Sequence, residues 1–326
     1  MVKSMKCDNI LLSIIIPVYN VETYIDKCLT MILNQVPEYG VEIVCIDDGS
    51  TDKSGIICED YANRYSNLKV YHQENMGATY AKSKGLQLAC GTYVAWCDSD
   101  DFYSVDWFKS VYPLLVTNQY DCIVTGYNRR FSKACEKHML PFEGRISRER
   151  YIYYISSDNE IKSYLPMHII KRDIIKHIKF NYQLITYEDY DFFTYVALKV
   201  KSIYLLNKSL YNYTYRENSI TNTIKPQLLL SAIETAAKRC NVFHAEGLAF
   251  SYAGYWKTIL IFCVKCSNDH QAINKYLFYK KYLQEHIWTM IQTKDLRLKD
   301  KLTSLILVAF PPRLIRRLWN IYASFK

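Results

Sequence analysis

With 326 residues, half of them apolar and 22% charged, the chain carries enough apolar material for a sizeable core, which excludes the disordered and low-complexity classes. Its length predicts one large domain with a smaller companion. The net charge of +9 is concentrated at the end: residues 291–326 hold eight Lys/Arg and two Asp, a net of +6, so the other 290 residues carry only +3 and the charge does not argue for nucleic-acid binding. In chain order, LSIIIPVY (Leu12 to Tyr19) is an apolar, β-branched run and predicts a buried strand. Glu22 to Gln35 has helical spacing, with Tyr24, Ile25, Cys28, Leu29, Ile32 and Leu33 on one face. Val41 to Asp47 predicts a second strand, and Ser50-Thr51-Asp52 a helix start running to about Tyr65. Leu68 to Gln73 is strand-like, Gly77 to Ala89 helical, Thr92 to Cys97 strand-like, Val105 to Val116 helical and Asp121 to Tyr127 strand-like. Apolar strands alternating with helices predict βαβ units and an α/β fold with a mainly parallel sheet. Residues 127–225 read as less regular, with helical stretches around YEDYDFF (Tyr187 to Phe193), and the chain beyond Pro226 reads as all helical. A boundary near 225 divides it into a domain over 1–225 and a helical region over 226–326.

In such sheets ligands bind outside the carboxyl ends of the strands. Strand one ends in Pro17-Val18-Tyr19-Asn20, strand two in Asp47-Asp48-Gly49-Ser50-Thr51-Asp52, and strand four in Asp98-Ser99-Asp100-Asp101. Three carboxylates in four positions repel one another unless a cation or hydrogen bonds offset them. A divalent ion with hard-oxygen preference, Mg²⁺ or Mn²⁺, bridging Asp100 to a diphosphate would do so. Asp52 and Asp106 read instead as helix caps. No G-x-G-x-x-G and no Walker-type loop is present, so phosphates are not cradled in those ways.

These segments, LSIIIPVYN, EIVCIDDGSTDKS, HQENMGATYAKSKGLQLACGTYVAWCDSDD and YEDYDFF, resemble the family 2 glycosyltransferases over Leu12 to about Phe193. The resemblance implies a GT-A fold, Rossmann-like, and inverting transfer of a sugar from a nucleotide-diphosphate sugar, by default a UDP-sugar, to an acceptor hydroxyl. It implies that Tyr19 stacks on the base, that Asp48 hydrogen-bonds the base edge, and that Pro17 and Val18 frame that pocket. Asp98 and Asp100 match the D-x-D motif, with Ser99 between them, Asp100 as metal ligand and Asp98 nearer the ribose or sugar. Glu188-Asp189 matches the E-D motif, with Asp189 as general base; a helix cap is the other reading of that residue. Where many members have Ala-Arg-Asn, this chain has Ala81-Lys82-Ser83, and Lys82 keeps the charge without the planar fork of Arg. Lys82 is thereby placed near phosphate or ribose. Arg216 and Ser219 resemble a segment near the donor pyrophosphate. Gly77 and Gly85 are expected to permit close helix–strand packing.

The second informative stretch is Leu302 to Lys326. After Pro311-Pro312 a helix would place Leu314, Ile315, Leu318, Ile321 and Tyr322 on one face, flanked by Arg313, Arg316, Arg317 and Asn320, with Trp319 near the boundary. That is the composition of an interfacial helix on an anionic surface. A lipid-linked saccharide acceptor in capsule, O-antigen or exopolysaccharide synthesis follows from the tail and the resemblance together. The first ten residues are mixed and polar and predict no secretory leader, and no apolar run reaches the roughly 20 residues of a spanning helix. The 11 cysteines, most in apolar runs (Cys45, Cys90, Cys97, Cys122), predict free thiols in a reducing compartment. The expected location is therefore cytoplasmic, peripheral on the inner face of the membrane. Of the 30 tyrosines, most are expected in half-buried packing and some in a ligand groove. Two other readings compete. A sugar-1-phosphate nucleotidyltransferase would need a Gly-rich triphosphate loop that PVYNVETY lacks. A non-catalytic sugar-nucleotide-binding protein on the same fold would not need Asp48, Asp98, Asp100 and Asp189 together.

Overall fold

The computed structural model describes residues 9–132, 134–216, 225–267, 269–311, 314 and 315. The chain divides into two compact units: Met1–Tyr151 with Ser163–Arg216, and Ile152–Lys162 with Glu217–Lys326.

In the first unit the predicted βαβ units form. Strands β1 (Leu12–Val18), β2 (Val41–Asp47), β3 (Leu68–His72) and β4 (Tyr93–Trp96) are parallel, in the order β3-β2-β1-β4. Helices α1 (Ile25–Leu33), α2 (Ser54–Arg64) and α3 (Ala78–Leu88) connect them, and α4 (Trp107–Val116) follows. Ile14, Ile16, Ile43 and Cys45 face one core layer with Leu29, Ile32 and Trp107. Val44 and Ile46 face the other, against Ala81 of α3. Burial on both faces is why these strands read as continuous apolar runs. A Cβ at Gly85 would lie 2.2 Å from the Ile15 side chain, so this glycine lets α3 lie close on β1. Gly77 differs from expectation. Nothing crowds it, but its φ of +94° is a conformation that side chains rarely adopt.

Beyond β4 the sheet departs from the expected five strands. It continues with β5 (Phe102–Tyr103), β6 (Cys122–Arg130), β7 (Cys135–His138), β8 (Gly144–Ile146), β9 (His168–Lys171) and β10 (Ile203–Thr214). The full order is β3-β2-β1-β4-β9-β6-β10-β5, with β7 beside β6 and β8 beside β10. Because β9 runs antiparallel to both β4 and β6, the sheet is mixed rather than mainly parallel. Within residues 127–225, read as less regular, lies the 12-residue strand β10, whose register slips around Ser209, where polar Asn207 and Lys208 interrupt the apolar run. Helix α5 (Arg148–Ser157), the short α6 (Arg172–Ile175) and α7 (Glu188–Lys199) complete the elements up to β10.

The described part of the second unit is helical: α8 (Pro226–Ala245), α9 (Ala253–Lys265), α10 (Ile273–Glu285), α11 (Ile287–Gln292) and α12 (Leu298–Ala309). Its core gathers Trp256, Ile259, Phe262, Tyr276, Leu283, Leu307 and Ile315. The carbonyls left open at the end of α5 are taken by cations: Arg239 donates to Ile155 O at 2.8 Å, and Lys257 Nζ to Ser157 O at 2.8 Å. Ile315, placed on the lipid side by the sequence pattern, is buried in this core instead. Arg313, Arg316, Arg317, Leu318, Trp319, Asn320, Ile321 and Tyr322 of the expected tail helix, like Ser219, lie outside the described residues. No described helix is long and apolar enough to cross a membrane. Among the described residues nine cysteines are free thiols, including Cys263 and Cys266, which burial pushes up to about 12 and about 11. Cys90, expected as a free thiol, is disulfide-bonded.

Candidate active site at the strand ends

The register pairs Val18 with Asp47, and the Asp48 amide donates to Val18 O at 2.9 Å. Tyr19, 45% exposed, therefore emerges beside Asp48 at the carboxyl ends of β1 and β2, with Pro17 and buried Val18 behind it. Asp48 itself is only 2% exposed. Its Oδ1 accepts from Gln73 Nε2 at 2.6 Å and the Met76 amide at 2.9 Å, and its Oδ2 from the Gly77 amide at 2.7 Å. Asp48 thus fixes the turn that opens α3, and three of its four or so acceptor positions are filled. The adjoining turn is locked in the same way. Asn20 Oδ1 accepts from the Thr51 amide at 2.8 Å, Asp52 Oδ2 from the Glu22 amide at 3.0 Å, and Glu22 Oε2 from the Lys53 amide at 2.9 Å. Asp52 also accepts from the Ser54 amide at 2.9 Å, satisfying a free N–H at the start of α2. Its slight desolvation is outweighed by these bonds, and its pKa is lowered. Asp106 occupies the position before α4 but makes no side-chain cap hydrogen bond, contrary to expectation.

The acidic turn after β4 does not present all three carboxylates to one ligand. Asp101, 2% exposed, turns inward: its Oδ2 accepts from Tyr211 Oη at 2.6 Å and its Oδ1 from the Thr214 amide at 2.6 Å. It ties the turn to β10. Asp98 and Asp100 remain at the crevice, with Ser99 buried between them. Burial pushes Asp98 up to about 6; Lys82 draws it down, and Asp100 and Glu188 raise it again. Asp100 Oδ2 forms an ion pair with Arg216, whose guanidinium lies 5.2 Å from the centre of the Tyr24 ring.

Opposite stands α7. Its first residue is Glu188, so Asp189 lies inside the first turn and is not the cap. The position before the helix is Tyr187 with φ +66°, a left-handed conformation that costs a non-glycine residue energy and recurs at functional sites. Lys82, on the buried side of α3, donates to Glu188 Oε1 at 2.7 Å and to Asp189 Oδ1 at 2.9 Å. The Leu165 amide donates to Asp189 Oδ2 at 3.1 Å. Desolvation raises Asp189 to about 7 against the attraction of Lys82, helped by repulsion from Glu188 and Asp98. For Lys82 burial favours the neutral amine, but Asp189, Glu188 and Asp98 override it and hold the ammonium well above its ordinary range.

The fold thus brings Lys82, Asp98, Asp100, Glu188, Asp189 and Arg216 into one network of four carboxylates and two cations. Tyr19 and Asp48 stand apart from it, at the β1 and β2 ends. Sequence reasoning missed the Leu165 amide, the Tyr211–Asp101 tie and the Gln73–Gly77 turn, because none carries a local motif. Among the described residues no group of three or more His, Cys, Asp or Glu could hold a metal unaided. Asp98 and Asp100 are hard oxygen donors, and they fit Mg²⁺ or Mn²⁺, which take one or two carboxylates and fill their shell with water and phosphate oxygens.

The sequence profile described as Glycosyl transferase family 2 matches residues 13–178. EpsJ, an uncharacterized glycosyltransferase of Bacillus subtilis (strain 168), is 29% identical over 217 residues, 65% of this chain and 63% of EpsJ. The minor teichoic acid biosynthesis protein GgaB of the same organism is 28% identical over 242 residues, 73% of this chain and 26% of GgaB. The chain therefore spans less than two-thirds of each of these relatives. Among solved structures, S. aureus TarS 1–349 in complex with UDP-GlcNAc matches with a TM-score of 0.64 at 20% identity, covering 95% of this chain and 91% of that one. That likeness is one of fold, and the fold is GT-A.

Proposed function

The chain belongs to glycosyl transferase family 2, and from that premise we propose that it is a metal-dependent, inverting hexosyltransferase. It moves a sugar from a nucleotide-diphosphate sugar, with UDP-sugars the first to test, to a hydroxyl of a lipid-linked saccharide in capsule, O-antigen or exopolysaccharide synthesis. Similarity to GgaB, named for teichoic acid biosynthesis, supports a cell-surface polymer, and the UDP-GlcNAc complex of TarS supports the donor class. The catalytic machinery occupies residues 1–225, and the region 226–326 with its basic tail over 302–326 holds the protein peripherally on the cytoplasmic face of the membrane.

The observation that carries the reading is Asp189: a buried carboxylate pushed up to about 7, fixed at one oxygen by the Leu165 amide and at the other by Lys82. A base with a pKa near the working pH is suited to taking a proton as a bond forms. The acceptor hydroxyl gives its proton to Asp189 while its oxygen attacks the anomeric carbon. The bond from that carbon to the donor phosphate breaks on the opposite side, and the nucleoside diphosphate leaves. Lys82 keeps Asp189 ionised, and Glu188 holds Lys82. Tyr19 stacks on the base, framed by Pro17 and Val18. In this reading Asp48 accepts from the base edge through its remaining acceptor position, and Asp98 with Ser99 borders the ribose or sugar. A bound Mg²⁺ or Mn²⁺, held by Asp100, would offset the charge of the leaving diphosphate. Arg216, already paired with Asp100, is the second cation beside that group.

The test is nucleotide release from a panel of sugar nucleotides with Mn²⁺, Mg²⁺ or EDTA, using membrane extract as acceptor source. Release from one donor, abolished by EDTA and by Asp100→Ala, is expected and names the sugar. UDP binding without release from any donor, with purified lipid-linked acceptors supplied, would overturn the transferase in favour of a binding protein.

A further inference from the structure

Helix α12 is amphipathic in the wrong sense for a helix that only covers a core. At about 100° per residue, Leu298, Leu302, Leu305, Ile306 and Ala309 share an arc of roughly 100°, and all five are exposed, as is Phe310 just past the helix end. Leu298 is 72% exposed, Leu302 51% and Leu305 45%. The opposite side supplies Ser304 and Leu307 to the core of the second unit. A surface helix ordinarily turns its polar side to water, and a contiguous apolar stripe there marks an interaction site. Two neighbours carry the same feature. Trp288 of α11 is 74% exposed, and α10, whose Lys280 donates to Phe310 O at 2.6 Å, exposes Leu277 and Phe278.

We infer that the outer face of α12 is a lipid-docking surface that seats the chain on an anionic membrane. Charge selects this occupant. Lys299 and Lys301 border the stripe, and Asp300 points inward and is neutralised by Arg297 at 2.8 Å. The sequence from 311 to 326 adds Arg313, Arg316, Arg317 and Lys326 without one acidic residue. A second copy of the chain would bring the same basic border against this one, whereas anionic headgroups complement it. The helix is about 18 Å long, too short to span, so it lies in the interface plane. This rests on the membrane placement proposed above, whose tail over 302–326 includes most of α12, and names the face that makes the contact; it does not depend on the transferase reading.

Deleting 302–326 is a poor test, because it removes Leu307 and Ile315 from the core. The full-length protein and its Leu302→Ser/Leu305→Ser variant are instead sedimented with vesicles of phosphatidylcholine alone, or with three-tenths phosphatidylglycerol. The parent is expected to pellet with the anionic vesicles, and the variant to lose about tenfold or more in partition while keeping the parent Tm. Lys299→Glu/Lys301→Glu is expected to lower binding to anionic vesicles by a similar factor without moving Tm. Undiminished binding of the leucine variant would overturn the inference. So would a dimeric parent that the leucine substitutions make monomeric, because the second copy would then be the occupant. Nucleotide release by parent and variant, measured in parallel, separates a failure of this inference from a failure of the transferase reading.

Discussion

The turn after β2 and the crevice between β4 and α7 are both rich in acid, yet they satisfy their carboxylates in opposite ways. In the first, Asp48 and Asp52 accept from the backbone amides of Met76, Gly77, Glu22 and Ser54. Such bonds are short-range, and a passing ligand does not replace them. In the second, Asp100, Glu188 and Asp189 face the side chains of Arg216 and Lys82, and burial leaves Asp98 near 6 and Asp189 near 7. Those carboxylates are incompletely offset, and their partners are charges that a diphosphate or a metal can exchange. The contrast teaches which acid residues build the scaffold and which remain free for chemistry. Asp101 sharpens it: it sits in the acidic turn, yet Tyr211 and the Thr214 amide claim it for the scaffold.

The strongest way to break the comparison is at Asp189. Asp189→Asn keeps the shape and the acceptor for the Leu165 amide, but cannot take a proton. Turnover is expected to fall by about two to four powers of ten. Donor affinity, measured by calorimetry with UDP and Mn²⁺, is expected to stay near the parent value. Full activity in the Asp189→Asn variant would move the base elsewhere.

Lys82 comes next. It lowers the Asp189 pKa by attraction, so Lys82→Met raises it further. The base must be ionised to work, so in the parent kcat/KM is expected to fall as pH drops through about 7. In the variant that limb moves to higher pH. A limb moved up by about one pH unit gives roughly a fivefold loss at pH 7, with recovery in alkali. Lys82→Arg, which restores the charge, should return most of it. A purely structural role for Lys82 would lower activity equally at every pH.

Half of this distinction was legible in the sequence. The apolar β-branched runs ending in DDGSTD and DSDD placed β1, β2 and β4 and set Asp48, Asp98 and Asp100 at strand ends, because burial on both faces writes a continuous signal. YEDYDFF placed Asp189, and the helix starting at Glu188, one residue before it, removes its reading as a cap. What the sequence could not carry were partners distant along the chain. Lys82 meets Glu188 across 106 positions, and Tyr211 meets Asp101 across 110. A lysine on a mixed helix face and a tyrosine among many tyrosines bear no mark of either contact. Strand β9 was missed because its four residues, HIIK, are too short for a period. Strand β10 was missed because polar residues at its bulge break the apolar run.

The smallest expected effect lies at Asp48, and it tests the scaffold side. Asp48→Asn keeps one carbonyl oxygen but points an NH₂ group at amides that need an acceptor. Three donors from Gln73, Met76 and Gly77 then compete for one oxygen. Leaving a buried donor unpaired costs about 1–3 kcal/mol, which for a domain of this size lowers Tm by about 2–10 °C. The turn it holds precedes α3, so the nucleotide pocket loosens and donor KM rises. Asp189 and Lys82 keep their contacts, and kcat at saturating donor is expected to remain near the parent value. The split between KM and kcat is the diagnostic: a variant at Asp48 that lost turnover while keeping donor affinity would place this carboxylate with the chemistry and erase the difference between the two acidic regions.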